Sequence, residues 1–267
     1  MLELNFKSRP GKVLCLGTGD GWPCADRNHS SYLYELADAC LLIDCGESVS
    51  RSLAARKFDW NRLDAIALSH THADHVGGLL MLLQGLWLEG RTRPLTILLP
   101  AQAINPLRQW LHQAYLFDEL FGFKVHFTAL QGGKTVPIGK ARLTAFPTTH
   151  LDGFRRAFQP KYRVGFDAFG FVLEGAGRRV LHSGDLGAPE DLFPLLTKPL
   201  DLLVCELAHF QPVELFTILR GHQIKRAAFI HLTRNLRQRL EPVKRLAKQH
   251  LRGIKCVFPN DGEWLRF

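Results

Sequence analysis

Between Ser69 and Gly78 the chain reads Ser-His-Thr-His-Ala-Asp-His-Val-Gly-Gly, which puts three imidazoles and one carboxylate within six positions. The residues before it, Leu63 to Leu68, form an apolar run that predicts a strand, and Val76 to Leu88 predict an apolar helix. A loop rooted in rigid elements at both ends can hold several ligands in fixed geometry. His70 and His72 stand two apart, so in an extended segment their side chains point the same way. Asp74 and His75 follow where the chain turns into the helix. One ion could take His70 and His72, and a neighbouring ion Asp74 and His75. Imidazole with carboxylate suits zinc, with iron or manganese as alternatives.

Such a half-site needs partners from elsewhere in the chain. Apolar runs ending in a potential ligand recur three times downstream. Ala141 to Thr149 predicts a strand that ends at His150. Arg179 to Ser183, the second arm of a predicted hairpin with Phe169 to Glu174, leads through Gly184 to Asp185. Arg226 to Ile230 predicts a strand ending at His231. Each of these three residues alone is more often structural than functional. Their shared position after a strand, downstream of a four-ligand loop, points to one rim. A carboxylate such as Asp185 can bridge two cations.

The remaining pattern is two strand-rich halves, each followed by helices. Strands are predicted at Lys12 to Gly17, Ser31 to Leu36, Ala39 to Asp44, Leu95 to Leu99, Phe123 to Leu130, Lys134 to Ile138, Leu200 to Glu206, Lys255 to Phe258 and Glu263 to Phe267. Helices are predicted at 48–57, 104–117, 189–196, 212–219 and 236–251, and residues 151–166 read as an aromatic and basic loop. Helices covering the outer faces of packed sheets make a layered α/β sandwich. The 267 residues, 46% hydrophobic, suffice for one domain over 1–267, and no linker or fixed-period repeat divides them. The charged opening Met1 to Pro10 does not suit a signal peptide, and the apolar runs are too short to span a bilayer. Six scattered cysteines without a CxxC pair argue against a disulfide framework or a thiolate metal site, and a reducing cytoplasm fits them. A formal charge of +9 favours anionic partners, including phosphate esters and nucleic acid, although it serves solubility equally well.

The stretch His70-Thr-His-Ala-Asp-His-Val-Gly-Gly78 resembles the HxHxDH signature of the metallo-β-lactamase superfamily, whose later histidine, aspartate and histidine ligands match His150, Asp185 and His231 in order. The resemblance covers the chain from Gly17 to its last strand. It implies a four-layer αββα sandwich with two metal ions at one edge between the sheets, and Asp44 supporting the ligand loop from behind. Within the superfamily the chain is similar to the ribonuclease Z-like phosphodiesterases. The likeness rests on Gly17-Thr-Gly-Asp-Gly-Trp-Pro23, Arg27-Asn-His-Ser-Ser31, Asp44-Cys-Gly-Glu47, Cys205-Glu-Leu-Ala-His-Phe210 and Asp261-Gly-Glu-Trp264. The long Gly/Pro-rich arm with which the tRNA-processing members grip tRNA has only the short segment 151–166 as its counterpart. His209 stands nearer its Glu motif than in those enzymes, and His231-Leu-Thr-Arg234 is offset by one residue.

The activity this implies is hydrolysis of a small phosphodiester or RNA by a hydroxide held between two ions about 3.5–4 Å apart. Asp74 would bind metal and orient the hydroxide. His209, held by Glu206, would donate a proton to the leaving oxygen, and a plain helix-start histidine is the alternative. His182 would pack against or orient Asp185. His29 is a candidate for substrate contact in a loop that could equally be plain surface. Arg155 and Arg156, with Lys161 and Arg163, could bind an extended anion or belong to a lid. A homodimer is expected by family analogy alone. Carboxyl-ester, thioester or lactone hydrolysis by the same site is the alternative activity, and a non-catalytic RNA-binding protein of the same fold is the third possibility.

Overall fold

The computed structural model describes residues 11–267, so the charged opening at Met1 to Pro10 lies outside the described residues. Fourteen strands form two seven-stranded sheets among these residues. The first half contributes β1 (Lys12–Gly17), β2 (Ser31–Leu36), β3 (Ala39–Ile43), β4 (Ala65–Ala67), β5 (Leu95–Pro100) and β6 (Val125–Leu130). The second contributes β7 (Thr135–Ile138), β8 (Ala141–Thr148), β9 (Ala168–Gly175), β10 (Arg178–His182), β11 (Leu202–Glu206), β12 (Arg226–Ile230) and β13 (Lys255–Val257). The last strand, β14 (Trp264–Arg266), returns to the first sheet, giving the orders β14-β1-β2-β3-β4-β5-β6 and β13-β12-β11-β10-β9-β8-β7.

Alternation along the strands builds the layers. Val13 and Cys15 of β1, Tyr32 and Tyr34 of β2, and Leu41 and Ile43 of β3 point between the sheets, where they meet Phe169, Phe171, Leu173, Val180, Leu202 and Val204. The alternate residues Leu14, Leu16, Leu33 and Leu42 face outward. There they pack under α1 (Val49–Ala54), α3 (Leu79–Leu88) and α4 (Ile104–Gln113). On the far side, Leu181, Leu203, Cys205 and Phe229 pack under α6 (Pro212–Leu219) and α8 (Leu240–His250). Strands buried on both faces read as unbroken apolar runs, and three stacked cores make four layers, αββα.

Several expected elements differ in outline; the helix foreseen at 189–196 is a 3-10 helix over Pro189–Leu195, with Pro194 inside it lacking an amide to donate. The helix foreseen at 76–88 is two pieces, α2 (Ala73–Val76) and α3, because Gly78 turns its amide to the Cys45 carbonyl at 2.8 Å. A side chain at Gly78 would collide with the Gly46 carbonyl, its Cβ lying 2.3 Å away, so this approach of loop to loop requires glycine. The helix foreseen at 236–251 is divided into α7 (Arg234–Gln238) and α8, since Pro242 has no amide to bond to the Gln238 carbonyl. The loop expected at 151–166 contains α5 (Asp152–Phe158), whose residues include no β-branched side chain and begin with an acid in the first turn. No helix among the described residues is long and apolar enough to cross a membrane.

Strands β3, β4, β8, β10, β11 and β12 all deliver their carboxyl ends to the same edge of the sandwich. A hydrogen-bond network closes that edge. Asp261, just before β14, accepts bonds from the Thr18 amide and hydroxyl at 2.9 and 2.7 Å and from the Asn28 amide at 2.6 Å. Arg27 donates to Thr18 Oγ1 at 2.7 Å. The glycine loop after β1, the Arg27–Ser31 stretch and the closing segment are therefore one structural unit.

Candidate metal centre

The seven residues expected to bind metal converge at this edge. His70, His72, His150 and Asp185 present ligand atoms that all lie within 4.8 Å of one another, and so do Asp74, His75, Asp185 and His231. Asp185 is common to both groups. Its Oδ2 stands 3.3 Å from His75 Nε2, 3.6 Å from His231 Nε2, 3.7 Å from His150 Nε2 and 3.9 Å from His70 Nε2. Asp74 Oδ2 lies 3.3 Å from His75 Nε2 and 3.7 Å from His231 Nε2. His150 Nε2 and His72 Nδ1 are 3.2 Å apart. Two adjacent ligand sets sharing one carboxylate oxygen make a frame for two cations.

The hydrogen bonds behind the rings fix which nitrogen faces inward. Ser69 Oγ donates to Asp44 Oδ2 at 2.9 Å, so its oxygen accepts from His70 Nδ1 at 3.0 Å. His75 Nδ1 donates to Asp44 Oδ2 at 2.7 Å. With Nδ1–H engaged outside, the Nε2 lone pairs of both rings face the centre, the arrangement metal-binding histidines use. Both Nε2 atoms are buried and lack a hydrogen-bond partner. Buried polar atoms are costly to leave unpaired, and a cation at the centre would satisfy both. His231 Nδ1 pairs with Ser30 Oγ at 2.9 Å. The donor set thus fits a pair of divalent ions.

Backbone and charge agree. Asp44 and His231, ending β3 and β12, hold left-handed φ values of 59° and 51°, which cost free energy and are retained where the surroundings impose them. Burial and the neighbouring His75 hold His70 well below the usual imidazole range, and burial brings His150 down to about 4, so both rings are neutral and able to ligate. Burial works against the charge on Asp185, but His231 and His75 outweigh it and hold the carboxyl well below its usual range. For His75 burial is again opposed, here by Asp185 and Asp44, and the ring is pushed up. The same field would draw a cation to its Nε2.

Glu206 and His209 lie beside this cluster. The fully buried Glu206 accepts bonds from the amides of Leu186 at 2.6 Å, Ala208 at 2.9 Å and His209 at 3.2 Å, and from His209 Nδ1 at 2.8 Å. Asp185, Glu206 and His209 are close enough to suggest a third cation group, but a carboxylate so fully engaged has no lone pair to spare. His209 Nε2 points to Asp185 Oδ2 at 4.0 Å, with a third of the side chain open to solvent. Burial lowers its basicity, but the hydrogen bond and charge of Glu206 prevail and raise it to about 9.

Other candidates stand apart. His182 pairs with the Tyr34 hydroxyl at 2.9 Å, so its ring nitrogen reaches the opposite sheet. His29 is buried behind the loop, beside Gly46, with Nδ1 3.7 Å from Glu47. Arg155 is tied to the Phe166 carbonyl at 2.7 Å and to Asp167 at 3.2 Å, whereas Arg156 is exposed. Ser69 and Ser30 also serve the site, behind His70 and His231, and nothing in the side chain of a serine marks it for such a role. The only sequence signal is position: Ser69 adjoins His70 in the ligand stretch, and Ser30 adjoins His29 in the Arg27–Ser31 run.

The beta-lactamase superfamily domain family matches residues 40–254. Ribonuclease Z of Bradyrhizobium diazoefficiens is 32% identical over 178 residues, which are 66% of this chain and 54% of that protein. Ribonuclease Z of Borrelia duttonii is 40% identical over 160 residues, 59% of this chain and 46% of that one. The chain thus spans about half the length of the curated relatives it matches. Among solved structures, the metallo-beta-lactamase fold protein YhfI from Bacillus subtilis superposes with a TM-score of 0.76 at 20% identity, covering 97% of this chain and 99% of that one. Human tRNase Z, short form, gives 0.71 at 20% identity over 95% and 98%. At these identities the likeness to the solved structures is one of fold.

Proposed function

This chain belongs to the beta-lactamase superfamily, and from that premise we propose that it is a metal-dependent phosphodiesterase, acting on RNA or a small phosphodiester with two zinc ions. The observation that carries the proposal is the single oxygen Asp185 Oδ2, which faces four buried imidazole nitrogens within 3.9 Å while two of them lack any hydrogen-bond partner. The likeness to proteins named ribonuclease Z supports a phosphodiester over other hydrolysable bonds, and the charge of +9 suits an anionic substrate.

His70, His72 and His150 would hold one ion, Asp74, His75 and His231 the other, and Asp185 would bridge them. Bound there, two divalent cations supply a water that is nucleophilic near neutral pH and neutralise charge on the substrate's oxygens. The chain's own residues do the rest. Asp74, largely enclosed beside His75 and His231, would orient the attacking water by accepting its hydrogen bond. His209 stands on the open side with Nδ1 anchored to Glu206, leaving Nε2 free to give a proton to the departing oxygen. Asp44, through Ser69 and His75, keeps the ligand loop in register.

Metal analysis and a hydrolysis panel on the same purified sample test this. The expected result is two metal ions per chain and cleavage of bis-p-nitrophenyl phosphate that chelation abolishes and zinc restores. Turnover of thioesters or lactones without any phosphodiester would overturn the substrate assignment. Absence of bound metal, with RNA binding unaffected by His72→Ala, would favour a non-catalytic role.

A further inference from the structure

A row of aromatic rings leads outward from the ligand cluster along α5. Phe154, Phe158 and Tyr162 recur every four residues, which places them on one helical stripe. The turn after α5 continues the stripe, because the amides of Lys161 and Tyr162 both donate to the Phe158 carbonyl at 2.9 Å. Ring centroids step from His72 to Phe154 over 5.4 Å, to Phe158 over 5.8 Å and to Tyr162 over 6.3 Å. All three rings are open to solvent, at 48%, 41% and 58%. Contiguous exposed apolar surface of this kind marks an interaction site.

The charges around the row point to the occupant. Arg155 is consumed in holding the returning chain, through Phe166 and Asp167. Arg156, Lys161 and Arg163 are exposed and form no ion pair among the described residues. We propose that this ridge is a stacking track for single-stranded nucleic acid, with bases laid on Phe154, Phe158 and Tyr162 and phosphates drawn to Arg156, Lys161 and Arg163. The proposal rests on the phosphodiesterase reading and names its substrate class: a single strand whose backbone enters the metal centre past His72. Aromatic faces interleaved with cations are how proteins bind unpaired strands with little sequence preference. A duplex, whose bases stack on one another, offers no face to the rings. A second copy of this chain would set Arg156, Lys161 and Arg163 against their own symmetry mates if the row packed on itself, which like charge opposes.

The test is fluorescence anisotropy of a short labelled single-stranded oligonucleotide with the purified protein, the probe checked for integrity on a gel. An abasic oligomer of equal charge serves as the comparison. Phe158→Ala and Tyr162→Ala are each expected to weaken oligonucleotide binding about tenfold. Phe158→Trp should retain affinity, and the abasic oligomer should bind the wild type and both alanine variants alike. Equal binding of the intact and abasic oligomers, or alanine variants that bind like the wild type, would overturn the track. So would sedimentation showing a dimer that Phe158→Ala dissociates, since the ridge would then belong to a second copy. Binding is read without turnover. An oligonucleotide that binds base-dependently but is never cleaved leaves the track standing and removes the phosphodiesterase reading, whereas cleavage without base-dependent binding does the reverse.

Discussion

Asp44 Oδ2 and His75 Nδ1 meet at 2.7 Å, with both side chains almost sealed from solvent. The same carboxylate takes the Ser69 amide at 2.7 Å and the Ser69 hydroxyl at 2.9 Å. One acid at the end of β3 therefore sets the tautomer of His75 directly and that of His70 through Ser69. It does so without facing the metal centre itself.

Asp44→Asn retains the shape but loses the charge that draws the His75 Nδ1 proton. Removing such an outer partner typically costs about 10–100-fold in metal affinity or activity. Competition with a zinc chelator should show that loss, while circular dichroism should show the fold retained. Unchanged metal affinity would mean that Ser69 and the backbone hold the rings unaided.

His209 is placed to serve the leaving group rather than the attacking water. His209→Ala should therefore lower kcat by about 10²–10⁴ for a diester that expels an alkoxide. It should have little effect on one that expels p-nitrophenolate, which departs without a proton. Steady-state rates on a matched pair of diesters decide it. Equal losses on both would assign His209 to binding or positioning. Glu206→Gln, which keeps the acceptor but removes the charge, should show the same leaving-group dependence in weaker form.

The six cysteines are free thiols, and burial separates their reactivities. Burial pushes up the thiols of Cys15, Cys45 and Cys205, takes Cys40 to about 12 and Cys256 to about 11. Since the thiolate is the nucleophile, these five should label slowly in the native state. Cys24 is half-buried, and its sulfur receives both Arg237 Nη groups at 3.5 Å. A disulfide reagent at about pH 8 should modify one thiol per chain rapidly, and peptide mapping should identify it as Cys24. Rapid loss of a second thiol would contradict either the burial of Cys15, Cys40, Cys45 and Cys205 or the raised thiol of the half-buried Cys256.

How much of this was legible in the sequence follows from the reach of each contact. Strands buried on both faces leave continuous apolar runs, and the polar residue that ends such a run is visible on inspection. His150, Asp185 and His231 could be found that way, and the same runs predict a layered α/β sandwich, whereas the four αββα layers and the supporting role of Asp44 came from the resemblance of the His70–Gly78 stretch to the metallo-β-lactamase signature. The outer hydrogen bonds could not. Ser30 reaches His231 and Tyr34 reaches His182 across the molecule, and a serine or tyrosine carries no local sign of so distant a partner. Segment 151–166 shows an intermediate case. Its aromatics and cations were plain, but a seven-residue helix among them, α5, is too short for apolar periodicity to declare. The four-residue spacing of Phe154, Phe158 and Tyr162 acquires meaning only once Phe154 is seen beside His72.

His182 is the buried group whose protonation should report on the fold. The ring is enclosed between the sheets, its Nδ1 on the Tyr34 hydroxyl and its plane tilted against Tyr32 at 4.9 Å. Burial lowers its pKa from 6.5 to about 3. Between those values the unfolded chain binds a proton that the native ring refuses. Stability therefore rises with pH across this window and is lost as pH falls through it, while above about 6.5 the residue contributes no pH dependence. One such proton gives a slope of about 1.4 kcal/mol per pH unit. His182→Asn leaves a polar atom for Tyr34 and removes the titration. Urea unfolding of both proteins, in chelator so that metal release does not intervene, should show the variant's slope shallower by about that amount. Parallel slopes would mean that the native ring accepts its proton at ordinary pH, which its enclosure between Tyr32 and Tyr34 forbids.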